Sequence, residues 1–484
     1  MKTLHSSVLS QCLLLLISVE QIYSQQYPIC VIGGGISGIT IANSLQEKGY
    51  DNVILYEGGS RFGGKLDTYR SKDEYGDTIV IEKGPILYSD QMTYIVKHMN
   101  RVNLTTIPFN IHDHALFNPK SGVIFPRLEF SAQLTAKVQQ LNNEYKRFWN
   151  FLSEEALELG YNSPASKAKL EELATPIETW LKQRNISELL PLFGVILTSM
   201  GYGDVKDTPA MYALKFIIAD DAENFFKIGG PSFTVKEGFD TFAERMAASV
   251  QNKNLGWRAV DIKRNRDKDV QYVTFEVSAG NMKSQITQIC KRTILAFPPL
   301  MNKLAVLVSD LSHKEKQVFN QVKIMKYVSS GNLIPSLNRA VYSGLVPEIG
   351  YDYNRHLFPK MIYPQGDGGP VVLVKQNKGE RLCYNAYSWI YGDYTEPATD
   401  QEMRIMATKL KTTLKKIHPF SKTLYMKTTE YFPHVTSDSI RNGFYSDFDS
   451  IQGDGGLYYG TTLLTLECVN NAIELGEKLV AKYF

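Results

Sequence analysis

Residues Pro28 to Gly49 read PICVIGGGISGITIANSLQEKG, and this run restricts what the chain can fold into more than any other. Ile29 to Ile32 is a short, β-branched apolar segment. Gly33, Gly35 and Gly38 then supply G-x-G-x-x-G, and Ile39, Ile41, Ala42 and Leu45 recur at helical spacing. The glycines therefore occupy a strand-to-helix turn, the setting in which this spacing has a mechanical meaning. Gly33 permits the tight turn, Gly35 lets backbone approach a pyrophosphate, and Gly38 lets the helix pack on the sheet. The helix N-terminus offers free N–H groups and a positive dipole end to phosphate. A second strand, Asn52–Tyr56, ends in Glu57, 19 residues beyond Gly38. An acid at that separation binds a ribose hydroxyl, and its charge disfavours a 2′-phosphate. A glycine-rich turn with an ordinary surface glutamate is the bland alternative. Strand, helix, second strand and acid together argue against it.

The residues after Glu57 separate the possible dinucleotides. Glu57-Gly-Gly-Ser-Arg61-Phe-Gly63-Gly64-Lys65 has the form E-x-x-x-R-x-G-G-[KR]. This resembles the second nucleotide signature of the flavin amine oxidase superfamily. The resemblance implies FAD, with Arg61 paired to cofactor phosphate and Gly63, Gly64 and Lys65 passing close to the flavin. Glu82-Lys83-Gly84-Pro85 resembles the next element of that superfamily, which enters the flavin pocket. Arg292-Thr-Ile-Leu-Ala-Phe-Pro298-Pro-Leu resembles the element that returns to the FAD domain, and Val260 in the preceding strand would lie near the adenine. At the C-terminus, Gly-Leu-Tyr-Tyr-Gly460 followed by the helical run from Thr461 resembles the closing strand–Gly–helix. There Gly460, Cys468 and Val469 would meet the cofactor. Thr461 stands where many members have an acid. Covalent members use a Cys near the C-terminal Gly. Cys468 is eight residues past Gly460, on the expected helix, so FAD is expected to be non-covalent.

The rest of the chain is ordinary in composition. Hydrophobic residues make up 43% and charged residues 21%, which reads as a soluble globular protein. A formal net charge of +3 over 484 residues gives no electrostatic case for nucleic-acid binding. The first 24 residues differ. Lys2 precedes an apolar run from Val8 to Val19, and Ile22 and Ser24 suit a cleavage site. The run is shorter than the ~20 residues a membrane span needs, so it reads as a signal peptide cleaved near Ser24. Secretion, or residence in the secretory lumen, is the expectation. The sequons Asn103-Leu-Thr and Asn185-Ile-Ser fit that route as glycosylation sites. No later stretch is apolar enough to span a membrane. Cys30, Cys290, Cys383 and Cys468 remain, widely spaced. They do not read as a disulfide framework, and Cys30 reads as a buried core residue. No Cys/His cluster has metal-ligand spacing.

The expected fold class is α/β, a Rossmann-type FAD-binding domain with an interleaved α+β substrate domain. Residues 28–90, 235–300 and 440–484 form the discontinuous FAD-binding domain. Residues 91–234 and 301–439 form the substrate domain with a helical cap, helical from about 130 to 250.

Three further strings narrow the resemblance. They are Gly201-Tyr202-Gly203-x5-Pro209-Ala-x-Tyr212-x-Leu214-Lys-Phe, Tyr431-Phe432-Pro433-His434-Val-Thr-Ser, and Gly443-Phe-Tyr445-x6-Gln452-Gly. Together they are similar to the polyenoic fatty acid isomerases, and the similarity runs from Pro28 to Phe484. The resemblance implies a redox-neutral reaction on a polyunsaturated fatty acid. Flavin N5 takes hydride from the methylene between two double bonds and returns it at a terminal carbon of the delocalised cation, leaving conjugated double bonds. No side-chain acid or base is required, and no Ser/His/Asp or Cys/His constellation stands out. Phe226, Phe432 and His114 are the expected substrate contacts. The family clamps the carboxylate with an Arg, and the matching stretch His112–Phe117 has none. The bland readings are that Phe432 is a core aromatic, that His434 is structural, and that Tyr458 and Tyr459 alternate, so at most one faces the flavin. Lys326 is a candidate for the active-site lysine of amine oxidases, though lysine in such a run is more often exposed. Two alternatives stand beside the isomerase: an amine or amino-acid oxidase releasing hydrogen peroxide, and a flavoprotein kept for binding. Oligomeric state is left open.

Overall fold

The computed structural model describes residues 27–125, 132–146, 164–218, 232–279, 282–344, 346–347, 361–362, 367–376, 378–464 and 466–484. The leader at 1–24 and Phe226 lie outside these residues.

Strands buried on both faces build the first layer. Ile29–Ile32 pairs in parallel with Val53–Glu57 on one side and Arg292–Leu295 on the other, and Asn252–Leu255 and Leu457–Tyr459 complete a five-stranded parallel sheet. Successive side chains on these strands face opposite ways. Val31, Val53, Leu55 and Ile294 pack against the helices Ile36–Glu47, Phe239–Ala248 and Val469–Tyr483. Cys30, Ile32, Tyr56 and Leu295 face the other way, toward Val273 and Phe275 of a three-stranded antiparallel sheet, Trp257–Asn265, Val270–Ala279 and Met282–Cys290. Tyr56 stacks on Phe275 with ring centroids 4.2 Å apart.

A seven-stranded sheet forms the second body, in the order 422–434, 323–333, 383–394, 367–376, 341–344, 114–117 and 124–125. The same alternation divides its faces. Ala115, Phe117, Tyr342, Leu373, Tyr384 and Ala386 lie under the helix Asp400–Ile417 through Leu410 and Leu414. The opposite face turns toward the parallel sheet and the helix Leu190–Met200. The expected helices between 130 and 250 include 132–146, 164–173, 177–183, 190–200, 210–218 and 239–248, interrupted by the strand Ser232–Val235. Among the described residues no helix is long and apolar enough to cross a membrane.

One expectation is overturned. Cys30 is buried, but it is not a lone core cysteine. It forms a disulfide with Cys290, Cα atoms 5.8 Å apart, joining the central strand to the end of the antiparallel sheet. Wide spacing hid the pair, because the 260 residues between the two cysteines return to the same place only once the parallel sheet closes. A cross-link over so long a loop constrains the unfolded chain by roughly 2–5 kcal/mol. Replacing both cysteines with alanine is therefore expected to lower the thermal midpoint by several degrees. Non-reducing and reducing melts of the wild type, with the double variant as reference, check this.

Candidate functional site: a nucleotide strip opening into a tyrosine-walled cavity

A cavity of about 600 Å³ opens at the carboxyl ends of the parallel strands and runs onto the face of the seven-stranded sheet. The carboxyl ends are where open α/β sheets bind ligands. Its nucleotide end is built by the turn after Ile29–Ile32. Gly33 has φ +113°, and a Cβ there would meet the Ala296 carbonyl oxygen at 2.9 Å. A Cβ at Gly38 would lie 1.9 Å from the Gly33 carbonyl oxygen, so Gly38 serves helix-to-loop contact. Gly35 is different. It precedes the helix Ile36–Glu47 with an unstrained φ of −71°, and a Cβ there meets nothing within 4 Å. Its missing side chain leaves room on the cavity side, at a helix N-terminus with no acidic residue in its first turn.

Glu57 sits at the end of the second strand with its carboxylate in the cavity wall. It accepts from the Gly34 N–H at 2.7 Å and the Gly59 N–H at 2.6 Å, which hold it in place. Gly63, Gly64, Lys65, Gly84, Pro85, Pro298, Gly460, Cys468 and Val469 also line the wall. Arg61 does not. Its guanidinium donates to the carbonyls of Phe62 (3.1 Å), Leu66 (2.7 Å) and Gly64 (2.7 Å) and lies 3.5 Å from Asp67. It braces the Gly63–Leu66 loop from behind instead of reaching into the cavity. Val260 is half-buried, stands at a bulge between Ala259 and Asp261, and is not part of this cavity's wall.

The other end is the sheet face. Residues two apart on each strand reach the cavity: His114 and Leu116, Val341 and Ser343, Val372 and Val374, Thr429 and Tyr431. Tyr327 and Tyr387 join Tyr431, and Tyr202 arrives from the loop after Leu190–Met200. The rings form a continuous wall: Tyr327 stacks on Tyr431 at 4.1 Å, Tyr202 on Tyr431 at 5.8 Å, and Tyr387 tilts against Tyr327 at 5.2 Å. Burial pushes the hydroxyls of Tyr202, Tyr327 and Tyr387 well above the ordinary phenol range, so they remain neutral donors. His114 contacts the Ser343 hydroxyl at 3.0 Å, and Ser199 donates to the same hydroxyl at 3.1 Å.

The strand alternation also corrects two expectations. Phe432 does not line the cavity. It is buried behind Tyr431, against Tyr202, Tyr212 and His434. Lys326 lies one residue from Tyr327 and so faces the opposite side, paired to Glu402 at 2.7 Å and resting over the Tyr394 ring. His434 is structural, stacked on Phe432 and contacting its carbonyl at 2.7 Å. Neither Tyr458 nor Tyr459 lines the wall: Tyr459 is buried and donates to Glu315, and Tyr458 packs on Tyr483 and Phe484. Glu82 is fully buried and paired to Lys378. The tyrosine wall was missed by sequence reasoning, although Tyr202 and Tyr431 stand in two of the strings that carried the resemblance. The usable signal was the two-residue alternation of Thr429 and Tyr431, but it does not say which face is enclosed.

The residues present fit FAD. Gly35 leaves a cradle beside free helix N–H groups, Glu57 is held where a ribose hydroxyl would lie, and the strip continues into an aromatic cavity. A family profile described as flavin containing amine oxidoreductase matches residues 36–418. The chain belongs to the flavin-containing amine oxidoreductase family. Its cofactor is therefore FAD, which supplies hydride chemistry when bound. Within this family, the chain is 22% identical to the FAD-dependent oxidoreductase oblC of Cochliobolus heterostrophus over 93% of this chain and 90% of that protein. It is 22% identical to a polyenoic fatty acid isomerase of Ptilota filicina over 66% of this chain and 59% of that one. The crystal structure of a CLA-producing fatty acid isomerase from P. acnes superposes with a TM-score of 0.72 and 18% identity, over 95% of this chain and 99% of that one. At that identity the superposition establishes the fold: an α/β FAD-binding domain with a substrate domain. FAD is held non-covalently. The Cys468 thiol, at the N-cap of the last helix, is pushed up to about 11 by burial and stays protonated.

Proposed function

We propose that this protein is a flavin-dependent isomerase that converts methylene-interrupted double bonds of a polyunsaturated fatty acid into conjugated ones. The observation that carries this reading is the cavity's chemistry. Beyond the glycine strip its wall is mainly aliphatic and tyrosine side chain, with hydroxyls held neutral. An extended apolar chain gains roughly 0.8 kcal/mol per methylene buried in such a space. Bound FAD supplies both the hydride acceptor and its donor, so the reaction needs no net oxidant. The protein's part is to hold the diene flat, exclude water, and surround a transient delocalised cation with ring faces, an environment that favours positive charge. The likeness to two fatty acid isomerases supports the same reading.

Amine oxidation is the other reading, and the family description favours it. Among the described residues, however, the carboxylates in the wall are Glu57 and Glu467, and both are engaged. Glu57 accepts two backbone N–H groups and Glu467 is paired to Lys65. Glu57 thus stands at the nucleotide end, and the carboxylate nearer the tyrosine wall already has a cationic partner.

Incubation of the yellow protein with linoleic and arachidonic acids is expected to raise conjugated-diene absorbance without oxygen consumption. Peroxide formed from an amine panel, with no diene signal, would sink the proposal.

We further propose a secretory location with carbohydrate on Asn103 and Asn185. Both asparagines are exposed, and the Cys30–Cys290 disulfide suits an oxidising compartment. A mobility shift on endoglycosidase treatment of the protein expressed through a secretory host tests the carbohydrate assignment.

A further inference from the structure

Glu467 precedes the N-cap of the last helix, with its side chain 10% exposed in the cavity wall. It ties together three segments that are remote in sequence. One carboxylate oxygen accepts from Lys65 Nζ, directly after the Gly63–Gly64 strip. The other accepts from the backbone N–H of Phe432. Its carbonyl accepts from the Tyr202 hydroxyl at 3.4 Å.

The Phe432 contact is notable for its backbone. Among the described residues, non-glycine positive φ values occur at Asn103, Asn185, Asp269 and Phe432. The first three carry the short polar side chains that tolerate this region. Phe432, at φ +50°, is bulky, and its side chain makes this conformation costly. It lies in a bulge where the strand 422–434 passes from Tyr431 opposite Met325 to His434 opposite Lys323. Bulges beside functional sites re-aim side chains. Here the bulge leaves Tyr431 in the cavity and turns Phe432 behind it.

The Lys65 contact concerns charge. Burial, opposed by Glu430 and reinforced by Lys303, lowers the Lys65 ammonium to about 8. The direct contact with Glu467 favours the charged form and cancels its field.

We propose that Glu467 is a positioning residue for the flavin site: it neutralises Lys65 beside the cofactor strip and pins the Tyr431–Phe432 bulge that forms the cavity wall. The charge half rests on the FAD assignment alone, and the turnover half also rests on the isomerase reading. Charge beside a flavin tunes its electronics. An uncompensated ammonium favours the electron-rich reduced flavin and opposes a cationic substrate intermediate.

The test uses the FAD-loaded full chain and measures the flavin midpoint potential without substrate, together with kcat and KM for diene formation. Glu467→Gln keeps an acceptor for the Phe432 N–H and removes the charge. It is expected to shift the potential positive and lower kcat at least tenfold with KM nearly unchanged. Lys65→Met combined with Glu467→Gln, which restores neutrality, is expected to return the potential toward the wild-type value. Glu467→Ala, which also frees the bulge, is expected to raise KM as well. A Glu467→Gln protein with wild-type potential, or a double variant that keeps the single variant's shift, overturns the proposal. Should Glu467→Gln hold no flavin, the neutral double variant decides: flavin retained at near wild-type potential supports the proposal, and an empty protein overturns it. If no substrate is turned over, the potentials still decide the charge role, so failure of the isomerase reading is distinguishable.

Discussion

Gly35→Asp is expected to leave the apoprotein folded while weakening FAD binding by at least a hundredfold. The backbone at Gly35 is already in an extended conformation open to any residue, and a Cβ there meets no protein atom within 4 Å. Asp is moreover a favoured N-cap, so the helix Ile36–Glu47 loses nothing by the change. The ligand loses twice. The new carboxylate takes up helix N–H groups that a pyrophosphate would use, and its charge repels the phosphates. One like-charge pair at about 4 Å costs roughly 4 kcal/mol at an effective dielectric near 20, which is more than the ~2.7 kcal/mol of a hundredfold loss. Flavin fluorescence titration of the apoprotein measures the affinity, and a melt of the same apoprotein measures the fold. Tight FAD binding by Gly35→Asp would show that the phosphates lie elsewhere. Gly38→Ala is the matched contrast. Its Cβ would fall 1.9 Å from the Gly33 carbonyl oxygen, so the apoprotein itself is expected to be destabilised.

The largest stability effect is expected at Lys378→Met. Lys378 and Glu82 form an ion pair whose side chains are 2% and 0% exposed. Glu82 also accepts from the Thr68 hydroxyl at 2.8 Å and from the Phe239 N–H at 3.1 Å. Removing the ammonium leaves a buried carboxylate with two neutral donors, and breaking a buried pair in this way costs about 3–5 kcal/mol. Burial already pushes Glu82 above the ordinary carboxylate range, with Lys378 opposing that shift. In the variant nothing of like strength opposes it, so the folded state binds a proton that the unfolded state has released. Its stability is therefore fullest below the unfolded carboxylate pKa and falls as pH rises toward the raised folded value. Urea melts at pH 5 and pH 8 are expected to show the variant more stable at pH 5. Glu82→Gln combined with Lys378→Met is expected to recover much of the loss and to flatten the pH dependence. A Lys378→Met protein within 1 kcal/mol of wild type at both pH values would contradict this account.

The glycine turn was legible in the chain because it is local. Gly33 to Gly38 and Glu57 lie within one strand–helix–strand unit, where spacing dictates which backbone turns and which helix end is exposed. Gly63–Lys65, in the loop after it, were read from the family resemblance. Arg61 braces its own loop through three carbonyls and Val260 stands at a one-residue bulge, and neither lines the cavity described above. Phe432 was misplaced by strand arithmetic, since a shift of one residue on a strand exchanges the enclosed face for the covered one. Lys326 and Tyr327 show the rule from the other side: adjacent in sequence, they face a helix and a cavity respectively.

By itself the sequence determined a dinucleotide-binding turn, from short-range periodicity and the steric demands of glycine; FAD and the α/β fold followed from the resemblance of Glu57–Lys65 and later strings to the flavin amine oxidase superfamily. Tertiary structure alone decided the Cys30–Cys290 disulfide, the four-tyrosine wall and the Lys65–Glu467 pair. Each joins residues separated by tens to hundreds of positions, and what brings them together is the pairing of strands and the choice of which sheet face is enclosed. Neither is written in the local pattern, because alternation specifies two faces without saying what will cover them.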